Sequence, residues 1–185
     1  GDVIGTLAVT EDLFAPSKDN IKLSCESGKI NGKKIAVPDA SIATHALVVA
    51  KSEKGICLQI ADLSHEGVSI EHQENIDESR GHFSIIFDGV DAQAIGDEIS
   101  GWDIYESIIN QAAVLFAYEQ IGGSQASLDM AINYAKERYA FGRPIGSYQA
   151  IKHKLADMYI ALTLAKSNCY YACLLYTSDA ADDQA

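Results

Sequence analysis

Between residues 134 and 158 the chain reads YAKERYAFGRPIGSYQAIKHKLADM. Two arginines (Arg138 and Arg143), Phe141 and Gln149 crowd around one interruption, FGRPIG. Arginine presents a planar fork of donors that suits carboxylate or phosphate. Phenylalanine offers an apolar plate, and glutamine an amide that both donates and accepts. From residue 138 to 166 the charges are Arg138, Arg143, Lys152, Lys154 and Lys166 against Asp157 alone. The whole chain carries 26 acidic against 14 basic residues, so this is a local basic surface in an acidic protein. Such a run reads as a solvated helix face or as an anion site, and clustering at a tight turn favours the second. For Arg138 the alternative to a phosphate contact is a surface ion pair worth about 0–1 kcal/mol. For Phe141 it is core packing of the hairpin.

The elements that position these residues are legible from periodicity. Pro144 and Gly146 break the chain between two helices. The second helix is expected to open with Ser147 as N-cap and Gln149 in its first turn, with Ile151, Leu155, Met158 and Leu162 on one face. The first begins near Trp102 and carries Ile108, Ala112, Leu115, Ile121, Leu128 and Ile132 at helical spacing. Its length points to a bundle. Gly122-Gly123 inside it costs roughly 1 kcal/mol per glycine, marking either a close backbone approach or a tolerated kink. From residue 3 to 95 the chain instead shows short apolar runs such as HALVVAK, GICLQIADL and HFSIIFDGV between Gly, Asn, Asp and Ser clusters. This predicts an antiparallel barrel or sandwich, with Asn31-Gly32 taking the positive φ of a tight hairpin. The fold class is α+β, a β-domain followed by an incomplete helical bundle.

A net charge of −12 and a pI near 4.7 argue against nucleic-acid binding. No window approaches the roughly 18 apolar residues of a membrane span, and no signal segment marks secretion. Cys25, Cys57, Cys169 and Cys173 show no metal-binding spacing and fit a reduced, cytoplasmic setting. The opening GDVIGTLAVTED enters a strand pattern directly, which suggests a fragment. The stretch CLLYTSDAAD, residues 173–182, back-translates as TGTCTCTTATACACATCT followed by GACGCTGCCGAC. The first part resembles the transposase end sequence used in sequencing libraries. The expected division is therefore a β middle domain over 1–100, two helices over 101–172, and adapter read-through over 173–185.

The β-part leading into a long helix and then ERYAFGRPIGSYQAIKHKLADM resembles the acyl-CoA dehydrogenase family. The pattern R-x-x-F-G-x-P-I-x-x-x-Q-x-I-x-H-x-L-A-D-M is long and spacing-specific, and QIGGSQASLDMAINYAKER and LAVTE agree with it in order. The resemblance covers residues 1–172 and implies a β middle domain followed by a four-helix domain, with the flavin between them and across a subunit interface. It implies FAD as cofactor, an acyl-CoA substrate oxidised to the trans-2-enoyl-CoA, a glutamate base, and electron-transfer flavoprotein as acceptor. By position, Arg138 matches the arginine on the FAD pyrophosphate of the neighbouring subunit. Phe141 matches the phenylalanine beside that adenosine-diphosphate portion, and Gln149 the glutamine bonded to the same region. Val9 and Thr10 match flavin-contacting positions. His153 in this motif is expected to be packed or hydrogen-bonded.

The chain departs from the family at two places. Where the family has a Gly-rich turn after its TE, Thr10-Glu11 is followed by DLFAPSKD, with Ser17 as a stand-in for the missing hydroxyl. Where the family has Trp-Ile-Thr, NGKKIAVPDA places Ala36, Val37 and Pro38. The base is unassigned: Gln111, Ala112 and Ala113 occupy the first-helix position used by a minority of members, and Glu119 is two turns further on. The readings carried forward are a dehydrogenase subunit with its own flavin and a non-catalytic subunit completing a partner's FAD site. A third is an acyl-CoA oxidase or flavin monooxygenase on the same scaffold. A homo- or hetero-oligomer with a homologous subunit follows from the resemblance.

Overall fold

The computed structural model describes residues 3–77, 79–97 and 99–182, the stretch 176–182 by backbone alone. The chain divides into two compact units, with the division between Ser107 and Ile108.

The first unit is a β-barrel. Its strands are β1 (Gly5–Ala8), β2 (Ser24–Glu26), β3 (Lys29–Pro38), β4 (His45–Lys51), β5 (Ile56–Asp62), β6 (Val68–Gln73) and β7 (His82–Ile95). The ring β4-β2-β3-β7-β5 closes because β5 pairs back onto β4, while β6 adds to β7. Closure removes sheet edges from the ring, and alternation sends every second side chain inward. Leu23, Ile30, Val37, Val48, Cys57, Ile85, Phe87 and Val90 form that interior. The barrel is mixed, since β1 and β2 both run parallel to β4. They occupy the same edge of β4 in succession, β1 beside His45–Val48 and β2 beside Lys51. The residues between them form an excursion from that edge, rejoined where the Lys51 amide donates to Leu23 O at 2.7 Å.

A buried ion pair holds the excursion down. Lys34 of β3 is fully buried, and its Nζ donates to Glu11 Oε1 at 2.7 Å and to Val9 O at 2.9 Å. Glu11 in turn accepts from the Lys22 and Leu23 amides at 2.8 and 3.0 Å. Both ends of the excursion thus meet one carboxylate. Burial pulls the Lys34 ammonium below the usual lysine range, and the Glu11 carboxylate pulls it back up.

The expected turn at Asn31-Gly32 is not the observed one, which lies earlier in the chain. The β2–β3 hairpin turns at Ser27-Gly28, where both residues have positive φ, 51° and 76°, as a type I′ turn requires. Asn31 and Gly32 lie inside β3 at a register shift, where Leu23 packs within 3.1 Å of where a Gly32 Cβ would sit. Asn31 serves instead as an acceptor for the Gly89 amide at 2.7 Å.

The second unit contains most of α1 (Gly101–Glu137) and α2 (Gln149–Asp182). Between the helices lie β8 (Tyr139–Ala140), β9 (Arg143–Pro144) and a 3-10 turn at Ile145–Ser147. Leu128, Ala135 and Leu162 are buried, whereas Leu115, Met130, Tyr159, Leu164 and Tyr170 are exposed, so apolar residues lie on several helix faces, the pattern of a bundle helix. Gly122 and Gly123 are exposed, and among the described residues nothing lies within 4 Å of where a Cβ would sit on either, so no close approach within the chain explains them. The backbone of α2 runs past residue 172 to Asp182; the end of the 173–185 reading, 183–185, lies outside the described residues. Among the described residues no helix is long and apolar enough to cross a membrane.

Two outcomes follow for stability. Lys34→Met leaves the Glu11 carboxylate buried without its cation, at an expected loss of about 3–5 kcal/mol. The reading is a lower urea midpoint at unchanged slope; an unmoved midpoint would show that the pair does not hold the barrel. Asp97 lies ahead of α1, and its Oδ1 accepts from the Ile99 and Ser100 amides at 3.1 and 2.7 Å. The Ser100 side chain and these amides hold its carboxyl below the usual carboxylate range. Its stabilising contribution is present above the unfolded-state pKa and lost as pH falls through the folded one. Thermal melts of Asp97→Asn should therefore fall less than wild type between neutral and strongly acidic pH; parallel falls would exclude Asp97.

Candidate functional site

The hairpin joining the helices is built by a short ladder and one strained turn. The Arg138 amide closes the last bond of α1 to Tyr134 O at 2.9 Å, and Arg138 O accepts from Ile145 at 2.8 Å. Tyr139 then faces Pro144, and Ala140 faces Arg143. The two residues between are Phe141 and Gly142, with φ of 51° and 78°. Positive φ at both positions suits Gly142, which has no Cβ, and strains a residue such as Phe141 by about 1–3 kcal/mol. Phe141 is 97% exposed, so its ring is not part of the core and packing does not offset that strain.

Neighbours fix the rest. Tyr148 Oη donates to Ala140 O at 2.8 Å, and the Arg143 guanidinium lies 4.1 Å above the Tyr148 ring centre. Gly146 seats the 3-10 turn against α1: a Cβ there would meet Ala135 O at 2.9 Å. Ser147 does not cap α2 as expected: it ends the 3-10 turn, Tyr148 intervenes before Gln149, and the Ser147 hydroxyl donates to Pro144 O at 2.7 Å. Tyr148 O instead accepts the first amides, from Ile151 and Lys152. Gln149 is the first residue of α2 and is exposed, as is Arg138. Among the described residues, no ion pair or hydrogen bond engages the side chain of either. The segment between the helices and its flanks thus carry an exposed guanidinium, an exposed aromatic ring and an exposed amide.

The β-unit presents its candidates differently. Val9 is buried, and Thr10 is partly buried with its carbonyl accepting from Ile35 at 2.8 Å. Both backbones are thus tied to β3. Beyond Glu11 the chain turns at Asp12, whose carboxylate accepts from the Phe14 amide at 2.9 Å, leaving Leu13 and Phe14 exposed. Ser17 sits in a turn closed by Asn20, which accepts from the Ser17 amide at 2.7 Å and donates to Ala15 O at 2.9 Å. Ala36 is exposed at a bulge in β3, with φ of 52° and its amide donating to Gln73 Oε1 at 2.7 Å. Val37 is in the core and Pro38 is half-buried, its carbonyl accepting from Thr6 Oγ1 at 2.6 Å.

Gln111 and Ala113 are exposed on α1, Ala112 is partly buried, and Glu119 is exposed further along. His153, expected to be packed or hydrogen-bonded, is exposed on α2. The reading from sequence missed Tyr148 and Gln73, which hold the hairpin and the bulge. Tyr148, an aromatic directly before Gln149, is the signal that was available. Nothing local marks Gln73, whose role depends on β6 pairing with β7.

Residues 100–185 match the family described as acyl-CoA dehydrogenase, C-terminal domain. The chain is 47% identical over 66 residues to acyl-CoA dehydrogenase IpdE2 of Mycobacterium tuberculosis, covering 36% of this chain and 21% of that protein. It is 30% identical over 186 residues to the mitochondrial 2-methylacyl-CoA dehydrogenase of Solanum tuberosum, covering 92% of this chain and 45% of that one. The chain thus spans less than half the length of these relatives. A glutaryl-CoA dehydrogenase from Mycobacterium smegmatis, solved in complex with FADH2, superposes with a TM-score of 0.80 at 21% identity, over 92% of this chain and 46% of that one. With the helical part matching in sequence and nearly all of the chain matching in fold, this protein belongs to the acyl-CoA dehydrogenase family.

Proposed function

We propose that this chain is part of a FAD-dependent acyl-CoA dehydrogenase that oxidises an acyl-CoA thioester to the 2,3-enoyl-CoA and passes electrons to electron-transfer flavoprotein. The observation that carries this reading is the hairpin of Arg138, Phe141 and Gln149 on a chain of this family. A strained, exposed aromatic beside an exposed guanidinium and an exposed amide fits a large ligand with phosphates and a flat ring system. Arg138 would hold the pyrophosphate of a FAD shared with a homologous subunit, Phe141 would lie along its adenosine portion, and Gln149 would bond its polar edge. Val9 and Thr10 would approach a flavin from the barrel through backbone already fixed by Lys34 and Ile35. The chemistry a bound flavin supplies is acceptance of the substrate's β-hydrogen as hydride.

A second reading has its own observation. At Ala36 the barrel offers a methyl group, and at Leu13 and Phe14 two exposed apolar side chains, where the family has a tryptophan cover and a Gly-rich wrap. Neither supplies a hydrogen bond to a flavin ring. This favours a non-catalytic subunit that completes the FAD site of a partner while holding no flavin itself. An acyl-CoA oxidase or flavin monooxygenase on the same scaffold has no observation of its own.

Flavin content decides between the first two. The full-length protein would be expressed alone and together with an adjacent homologue, and its FAD measured by absorbance. One FAD per subunit when expressed alone supports the dehydrogenase subunit; flavin only in the co-expressed complex supports the partner subunit. In whichever form binds flavin, Arg138→Ala is expected to lower retention on gel filtration at least about tenfold, the weight of one charge-assisted phosphate contact. Unchanged content would remove the phosphate role.

Phe141→Gly separates strain from binding. It is expected to stabilise the unliganded hairpin by about 1 kcal/mol, from relief of the left-handed strain. It is also expected to weaken FAD retention. A variant that binds FAD as well as wild type would show that the ring touches no cofactor.

A further inference from the structure

The turn from β5 to β6 is closed by a histidine ring, and only one charge state of that ring can close it. The Gly67 amide donates to His65 Nδ1 at 3.0 Å. A backbone N–H only donates, so Nδ1 must hold a lone pair; the ring is neutral, with its proton on Nε2. Two backbone bonds complete the turn. The Val68 amide donates to His65 O at 3.0 Å, and the Asp88 amide of β7 donates to Gly67 O at 2.9 Å. Gly67 is pressed against β7, since a Cβ there would collide with Asp88 O. The turn leads directly into β6, which among the described residues pairs with β7 alone.

The charges around the ring come from several elements. Nε2 lies 3.8 Å from Asp91 Oδ2 of β7, beyond hydrogen-bond reach but close enough for an ion pair. The other oxygen of Asp91 holds Lys29 of β3 at 2.9 Å. Asp62, at the end of β5, acts on the ring electrostatically, and His45 of β4 acts on Asp62 in turn. Glu66 in the turn itself and Asp88 of β7 are exposed. Lys29 holds the Asp91 carboxyl below the usual carboxylate range, and Ser64 does the same for Asp62. Both therefore stay negative where imidazole titrates. A proton added to the ring finds carboxylates nearby, but at Nδ1 it meets the Gly67 N–H.

We propose that His65 is a pH-sensitive latch on the β5–β6 turn: the neutral ring ties the turn through the Gly67 amide, and the protonated ring swings to Asp91 and frees the entry to β6. Protonation removes the lone pair on Nδ1, so the Gly67 bond cannot survive it. What the charged ring gains is the ion pair with Asp91. Asp91 can take that charge without giving up Lys29, which uses its other oxygen and also donates to Gly89 O at 3.2 Å. The turn is then held to β7 by the Asp88–Gly67 bond alone, with the Gly67 amide left to water. No residue of the latch belongs to the Arg138 hairpin, and no step of it needs a flavin.

The test is hydrogen exchange read by mass spectrometry on the full-length protein, from about pH 8 down to about pH 5, where an ordinary imidazole takes up its proton. Overlapping peptides across residues 63–68 give the protection of the Gly67 amide, corrected for the intrinsic pH dependence of exchange. The slow exchange of the His65 ring C2 proton gives that residue's own titration. Gly67 protection is expected to fall roughly three- to tenfold, the weight of one hydrogen bond, with the midpoint of His65. In His65→Asn the carboxamide oxygen can accept from the amide two residues on at any pH, so protection should stay high and flat. In His65→Ala it should be low at both ends of the range. Asp91→Asn should move the fall to lower pH, because the carboxylate that favours the charged ring is gone. Gly67 protection that holds steady while His65 titrates would overturn the proposal. So would an equal fall in His65→Asn, or wild-type protection in His65→Ala.

Discussion

The excursion between β1 and β2 depends on one buried charge pair. Between β1 and β2 the chain leaves an edge of β4 and returns to the same edge, which by itself would leave a long unsupported loop. Lys34 reaches across from β3 and meets that loop at Val9 and Glu11, while Glu11 binds the amides of Lys22 and Leu23 where the loop comes home. One lysine and one carboxylate thus fix the start and the end of the excursion. An apolar pair of the same volume would fill the space but could not satisfy those backbone groups. Burial of a salt bridge seldom adds net stability. What this one specifies is where residues 9–23 lie, and with them the backbones of Val9 and Thr10.

The hairpin between the helices uses a different device. Its turn places an aromatic residue where glycine or asparagine would rest without strain. Tyr148, under the Arg143 guanidinium and bonded to Ala140 O, holds the neighbouring ladder in place so that the strained turn cannot relax. Gly146 brings the start of α2 close to Ala135, and this sets the direction from which Gln149 emerges. Phe141 therefore projects because its surroundings over-determine it.

The hairpin itself was legible in sequence, because Arg138, Phe141, Pro144, Gly146 and Gln149 lie close together along the chain. The helices were legible from their period, and the barrel from its short apolar runs. What could not be read depends on contacts between distant strands. Asn31-Gly32 has the composition of a turn, but the pairing of β3 with β7 claims Asn31 as an acceptor and moves the turn to Ser27-Gly28. Ser147 has the composition of an N-cap, yet it ends the 3-10 turn, and Tyr148 stands between it and the first residue of α2. The parallel pairs on β4 were invisible because two short segments share one edge, a fact of closure with no local signature.

The departures from the family's pattern at Leu13, Phe14 and Ala36 are physically compatible with an unaltered hairpin because the two are held by separate interactions. Asp12, Asn20 and Gln73 organise the altered barrel segments through bonds within the first unit. The hairpin is held by Tyr148, Arg143 and Gly146 within the second. No hydrogen bond described for Leu13, Phe14 or Ala36 passes through the Arg138 turn, so changes at the first leave the geometry of the second intact. A single-site enzyme would gain nothing from such independence, since both parts must meet one cofactor. A site whose parts came from two chains would allow one part to change while the other is kept, which is what the reading as a non-catalytic subunit requires.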